Sequence, residues 1–240
     1  MLVARLALIG PAILAMPIPQ KLNLLVFSKT RGFRHDSIPS GRRAIYKLAE
    51  KNGWTVTYSE DSTWFSDSKL KAFDTVVFLN TTGDVLEEDQ QKAMENYIHA
   101  GGGYMGIHSA SDTEYDWPWY GQLVGAWFKR HPQIQEAKVK IEDPNHPAMK
   151  GLPNPWTRTD EWYDFRENPR SKVHVLASMD VKSYQNSEMV DDHPMVWCHD
   201  FEGGRSFYCE FGHTKESYSD PLYLQILREG IKWAAGKRKK

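Results

Sequence analysis

Three short apolar runs constrain this chain more than any other feature. They are residues 22–28 (LNLLVFS), 75–80 (TVVFLN) and 103–108 (GYMGIH). Runs of this length with almost no polar break suit strands buried on both faces. Helical patterns separate them. One starts at Pro39, a residue suited to a first helical turn, with Ser37 or Ile38 just outside, and runs to Asn52, where Gly53 ends it. Residues 54–59 read as a second strand. A helix over 87–100 puts Met94, Tyr97 and Ile98 on one side and is capped by Gly101. Strand, helix, strand, short helix, strand, helix, strand predicts an α/β fold, with a parallel sheet, helices on both faces and right-handed crossovers.

The second half reads differently. Strand-like stretches occur at 137–141, 173–178, 195–201 and 205–211, and a final helix is expected over 220–235. Gly203-Gly204 reads as a two-residue turn joining 195–201 to 205–211. That register sets Glu202 opposite Arg205 and Cys198 opposite Cys209. The pair would be hydrogen-bonded, which widens the Cα separation, so two buried thiols are favoured over a disulfide. No repeat or linker divides the chain, and one domain is expected.

The first 19 residues have one charge, Arg5, then an apolar stretch from Leu6 to Met16, then small residues and prolines. This pattern resembles a secretory signal peptide and implies a periplasmic or secreted protein; a cytoplasmic one is the alternative. No apolar run reaches the about 18 residues of a membrane span. Thirty basic against thirty-one acidic residues leave no excess positive charge for phosphate binding, which argues against nucleic acid as a partner. Two cysteines exclude a four-cysteine metal site and a disulfide-stapled scaffold. Nine tryptophans are a high count; some must be core, but aromatic faces also suit sugar rings.

Ligands of open parallel sheets bind beyond the carboxyl ends of the strands. The segments that follow strands one, three and four are polar: Lys29 to Ser37 with Arg34 and His35, Asn80 to Asp84, and His108 to Thr113 with Ser109 and Asp112. They are expected to converge on one rim. Neither G-x-G-x-x-G nor G-x-x-x-x-G-K-[ST] occurs, so dinucleotide and P-loop readings are weak. Gly106 stands two residues before His108 at a strand end, as in a nucleophile elbow, but imidazole replaces the nucleophile. Histidine there serves as acid, base or ligand, or is simply a buried, hydrogen-bonded side chain. His131, His146 and His193 each precede proline, and His213 follows the last strand. Two or three imidazoles with a carboxylate would suit zinc or a similar divalent ion, although no H-E-x-x-H spacing supports one. In 159–165 (TDEWYDF) acids alternate with aromatics, as in a sugar-binding edge around Glu161 and Trp162 or in an amphipathic strand.

The motifs GFRH at 32–35, GGGYMGIHSA at 101–110, LVGA at 123–126, DEWY at 160–163, HPMVW at 193–197 and GH at 212–213 together resemble the ThuA-like (trehalose utilisation) family over residues 21–236. The resemblance implies a flavodoxin-like three-layer α/β/α sandwich, similar to class I glutamine amidotransferases. It also implies carbohydrate catabolism by way of 3-keto sugars. No cysteine stands at the elbow, so glutamine hydrolysis is excluded. The expected activity is hydrolysis, elimination or isomerisation of a keto-glycoside. His108, His213 and Glu161 are the expected catalytic groups, with Asp112 orienting His108. His35, Arg34, Asp84, Ser109, His131, Trp162 and Trp197 are the expected substrate contacts. The alternatives are a sugar-binding protein beside an oxidoreductase and an inert module. The partner is a small carbohydrate, and a homo-oligomer is compatible with the sequence.

Overall fold

Apolar residues that alternate along one strand point to opposite faces, so a strand apolar at every position must be covered on both sides. In the computed structural model, which describes residues 21–237, that requirement builds three layers. The first half contains β1 (Asn23–Phe27), α1 (Ile38–Asn52), β2 (Thr55–Ser59), α2 (Asp67–Leu70), β3 (Thr75–Leu79), α3 (Glu88–His99) and β4 (Gly103–Ile107), in the expected order. There follow α4 (Pro118–Val124), β5 (Phe128–Arg130), β6 (Gln135–Ile141), β7 (Trp156–Asp160), β8 (Asp164–Phe165), β9 (His174–Met179), β10 (His193–Phe201), β11 (Gly204–Cys209) and α5 (Pro221–Ala234). The expected export segment, residues 1–19, lies outside the described residues. Among the described residues no helix is long and apolar enough to cross a membrane.

Nine strands form one sheet in the order β2-β1-β3-β4-β11-β10-β9-β6-β7. From β2 to β11 neighbours are parallel; beyond β11 they are antiparallel. Val77 and Leu79 of β3 join α1 and α5 in one apolar layer, while Val76 and Phe78 join α2, α3 and α4 in the other. The alternation along single strands therefore sorts side chains between the two layers.

The antiparallel hairpin departs from the expected register. Phe201 pairs with Gly204, so the turn is Glu202-Gly203, both at positive φ (43° and 98°). Asp200, not Glu202, faces Arg205, and Cys198 faces Phe207 while Cys209 faces Val196. The two thiols are buried, free and diagonal to each other. Gly203 sits where an added Cβ would lie 2.8 Å from the carbonyl oxygen of His99. Close approach of α3 thus selects glycine at the second turn position, a constraint invisible in the hairpin's own sequence.

Candidate active site

The carboxyl ends of β1, β3, β4 and β11 lie side by side, and the segments leaving them are tied to one another. Asn80 donates through its side-chain amide to Ser37 Oγ (3.0 Å) and to the carbonyl of Gly212 (3.1 Å), and Ser37 Oγ donates to the same carbonyl (2.8 Å). Asp160, at the end of β7 and fully buried, accepts from Ser217 Oγ (2.6 Å) and from the backbone N–H groups of Gly212 (3.1 Å) and Thr214 (3.2 Å). One carboxylate therefore holds the Glu161 segment against the His213 segment.

His108 stands at the elbow with φ +50°, a backbone region that non-glycine residues seldom adopt. Gly106 makes room for it. A Cβ there would lie 2.8 Å from Tyr104 Oη, 3.1 Å from the Tyr208 ring and 3.2 Å from Ala110 Cβ. The ring is fully buried. Its Nδ1 lies 2.8 Å from the carbonyl oxygen of Glu210, which can only accept, so Nδ1 carries the proton. Nε2 is then the acceptor, and Tyr163 donates its hydroxyl to it across 2.9 Å.

Glu161 reaches three imidazoles. Its carboxylate lies 3.3 Å from His108 Nε2, 3.0 Å from His213 Nδ1 and 3.2 Å from His131 Nδ1. His35 packs edge-on against His108 (4.8 Å between ring centres) and His213 (5.1 Å), and its Nδ1 lies 3.3 Å from Ser109 Oγ. Burial, with the neighbouring His108 and His213, drops the His35 pKa to about 2, so this ring is neutral. Burial alone would raise the Glu161 carboxyl, but the His108 and His213 imidazoles outweigh it and hold the group below the usual carboxylate range. For His213 burial acts downward, and Glu161 overcomes it and raises the imidazole.

These groups open on a pocket of about 310 Å³ lined by Phe33, His35, Asp112, Phe128, His131, Glu161, Tyr163 and His213. That is the small end of the about 300–1,000 Å³ typical of ligand sites. The small β5–β8 sheet sets its outer wall: β5 delivers His131, and β8 follows Glu161 and Tyr163. A larger groove of about 540 Å³ beside α4 contains a single histidine, His199, among Arg166, Glu167, Lys172 and Asp200.

His35, His108, Ser109, His131, Glu161 and His213 thus come together, as Asp112 does on the wall. Five expected residues fail on geometry. Asp112 does not orient His108; its carboxylate accepts from Tyr115 (2.6 Å), and burial raises its pKa. Arg34 turns away to Glu60, with two hydrogen bonds of 3.0 and 2.7 Å. Asp84 is exposed and lies outside the pocket lining. Trp162 and Trp197 are fully buried and present no face to a sugar; their indole N–H groups donate to the carbonyls of Gln135 and Val124 (2.9 Å each). Among the described residues no tryptophan lines this pocket.

Sequence reasoning passed over Tyr163 and Glu210. Glu210 is fully buried, accepts from the Tyr163 N–H (2.7 Å) and pairs with His193 (2.9 Å). This pair accounts for His193, which packs behind the site rather than in it. The available signal was a lone acid within the apolar run Phe207–Phe211.

A family model described as "ThuA: Trehalose utilisation" matches residues 23–234. Among solved structures, a ThuA-like protein of Bacteroides uniformis superposes with TM-score 0.76 at 24% identity, covering 94% of this chain and 95% of that one. A ThuA-like protein of Parabacteroides merdae gives 0.75 at 19%, covering 92% and 93%. A cytoplasmic protein of Salmonella typhimurium gives 0.62 at 11%, covering 89% and 98%. No curated protein matches the sequence. At these identities the structural likenesses establish the fold alone.

Proposed function

The chain belongs to the ThuA family, described by its role in trehalose utilisation, and from that premise we propose that it is an enzyme of carbohydrate breakdown acting on 3-keto sugars or their glycosides. One observation carries the proposal: His108 and His213 each lie within 3.3 Å of the Glu161 carboxylate, and Glu161 and His213 line a pocket small enough for a single sugar ring, with His108 just beneath them.

A carbonyl at C3 acidifies the neighbouring C–H bonds. Loss of the C2 proton sends its electron pair into a C2–C3 double bond and leaves negative charge on the C3 oxygen. The floor groups meet that oxygen. His213, whose protonated form Glu161 favours, offers a hydrogen bond that strengthens as charge develops. His108 and the Glu161 carboxylate beside it take and return the proton. Return at a different carbon isomerises the sugar. Expulsion of the C1 oxygen, which departs as an alcohol after accepting a proton, eliminates the glycoside, and addition of water to the resulting double bond completes hydrolysis. The apolar faces of Phe33 and Phe128 replace the buried tryptophans as the ring-stacking surfaces. An exported location, read from residues 1–19, belongs to the same proposal.

The test is incubation of the full chain with 3-keto-glycosides and product analysis. Turnover is expected, and His108→Ala should lower it by roughly 10²–10⁴-fold. Saturable sugar binding without product would replace this reading with that of a sugar-binding protein, and undiminished turnover in His108→Ala would remove His108 from the reaction.

A further inference from the structure

We propose that His35, His108, His213 and Glu161 form a binding centre for one first-row divalent cation such as zinc. The inference takes the location of the site from the proposed function and does not depend on the reaction assigned to it.

Each of the four residues offers one ligand atom, and the four atoms lie within 4.8 Å of one another. Four donors about 2.1 Å from a tetrahedral ion are about 3.4 Å apart, so closure onto a cation draws the widest pair together by up to about 1.4 Å, within reach of side-chain rotation. Three imidazoles and a carboxylate form a donor set for zinc, iron or nickel rather than for calcium or magnesium.

Three further observations fit ligation better than a closed hydrogen-bond network. His213 Nδ1 is buried and makes no hydrogen bond, although a Glu161 oxygen lies 3.0 Å away; the alignment is wrong for one. A cation between the two would satisfy both. His108 is held as the Nδ1–H tautomer by the Glu210 carbonyl, so Nε2 is the acceptor nitrogen; it lies 3.3 Å from Glu161, and ligation would replace the hydrogen bond it takes from Tyr163. Ser109 Oγ engages His35 at Nδ1 and leaves Nε2 as the remaining donor. Metal-ligating histidines are commonly oriented by such contacts through the other ring nitrogen.

The four ligands supply one negative charge, so a bound divalent ion would leave one net positive charge at the pocket floor. Such an ion supplies Lewis-acid polarisation of a carbonyl oxygen. His35, Glu161 and His213 also line the pocket, which puts the centre within reach of a vicinal hydroxy-carbonyl pair on a sugar.

The test uses the full chain, stripped with a chelator, dialysed, and titrated with zinc or cobalt(II) alone. Calorimetry and elemental analysis should give one ion per chain, and the cobalt form should show visible absorption of a low-symmetry, nitrogen-rich site. Glu161→Gln and His213→Gln should each weaken zinc binding at least about 100-fold and abolish the thermal shift that zinc gives the unmodified chain. His131→Gln, on the wall, should keep both. Two variants are used so that a folding failure in one leaves the other to decide. Zinc binding unchanged in both, or no stoichiometric binding by the unmodified chain, overturns the centre. Chelator-resistant turnover of a keto-glycoside together with absent binding would do so while leaving the enzymatic reading intact. Stoichiometric zinc without turnover would do the reverse.

Discussion

His108 gives its Nδ1 proton to the backbone carbonyl of Glu210, 2.8 Å away, and the side chain of the same Glu210 accepts the N–H of Tyr163, whose hydroxyl donates to His108 Nε2. One buried residue thereby fixes both nitrogens of the central imidazole. Its carboxylate also pairs with His193. In Glu210→Leu the Tyr163 N–H and His193 Nε2 stay buried without partners. At about 1–3 kcal/mol for each unsatisfied group, stability should fall by roughly 2–6 kcal/mol. Glu210→Gln, which keeps an acceptor oxygen, should lose less than half as much. Urea unfolding of the three proteins measures this, and equal midpoints would contradict it.

Gly106→Ala should damage the site from beneath. The new methyl group meets Tyr104 Oη, Tyr208 and Ala110 at 2.8–3.2 Å. Overpacking of this kind costs about 1–3 kcal/mol, and the strand end carrying His108 must shift. Activity should therefore fall more than thermal stability alone explains. A variant with unaltered melting and unaltered turnover would show that the neighbours yield freely.

Both thiols should be silent in the native protein. Burial pushes the Cys198 thiol up to about 12 and raises Cys209 as well, so neither forms thiolate at neutral pH. A thiol reagent at pH 8 should label none before denaturation and two afterwards. Fewer than two after denaturation without reductant would mean that a disulfide forms despite the diagonal register.

His146 gives a pH dependence away from the site. Its Nδ1 accepts the Ala148 N–H (3.2 Å), and burial lowers its pKa from 6.5. The folded chain therefore prefers the neutral ring. Its contribution to stability is complete above pH 6.5 and declines as the pH falls towards the lowered folded value, because the unfolded chain takes up the proton first. Asparagine can accept the same N–H without titrating. Urea midpoints between pH 8 and 5 should fall faster for the unmodified chain than for His146→Asn, and parallel curves would exclude this contribution.

Arg34→Ala should leave sugar binding intact, because the guanidinium is engaged with Glu60 on the exposed side of the first segment. A large loss of affinity in calorimetry would return Arg34 to the pocket.

The elements nearest the site were legible because their signals are local. The apolar runs of β1, β3 and β4, Pro39 and Gly53 bounding α1, and Gly106 before His108 each act over a few residues. β5 and β8, three and two residues long, carry too little periodicity to be read, and β7 turns Arg158 and Asp160 inward beside Trp156, so its inner face does not read as apolar; yet β5 and β8 set the pocket wall and β7 leads into Glu161. The hairpin register was misread because α3 decides it: the close approach of the His99 carbonyl requires glycine at the second turn position.

Residue chemistry alone determined that layered strands would gather polar ends on one rim, since a strand apolar at every position must be covered on both faces. It also supplied the imidazoles and carboxylate gathered there. It did not decide which of nine histidines would meet. His35, His108, His131 and His213 do, while His193 pairs with Glu210 behind them and His146 lies across the sheet against Phe207 and Trp233. That choice depends on contacts across more than fifty residues, such as Asp160 with Gly212 and Asn80 with Gly212, which exist only once the sheet is formed.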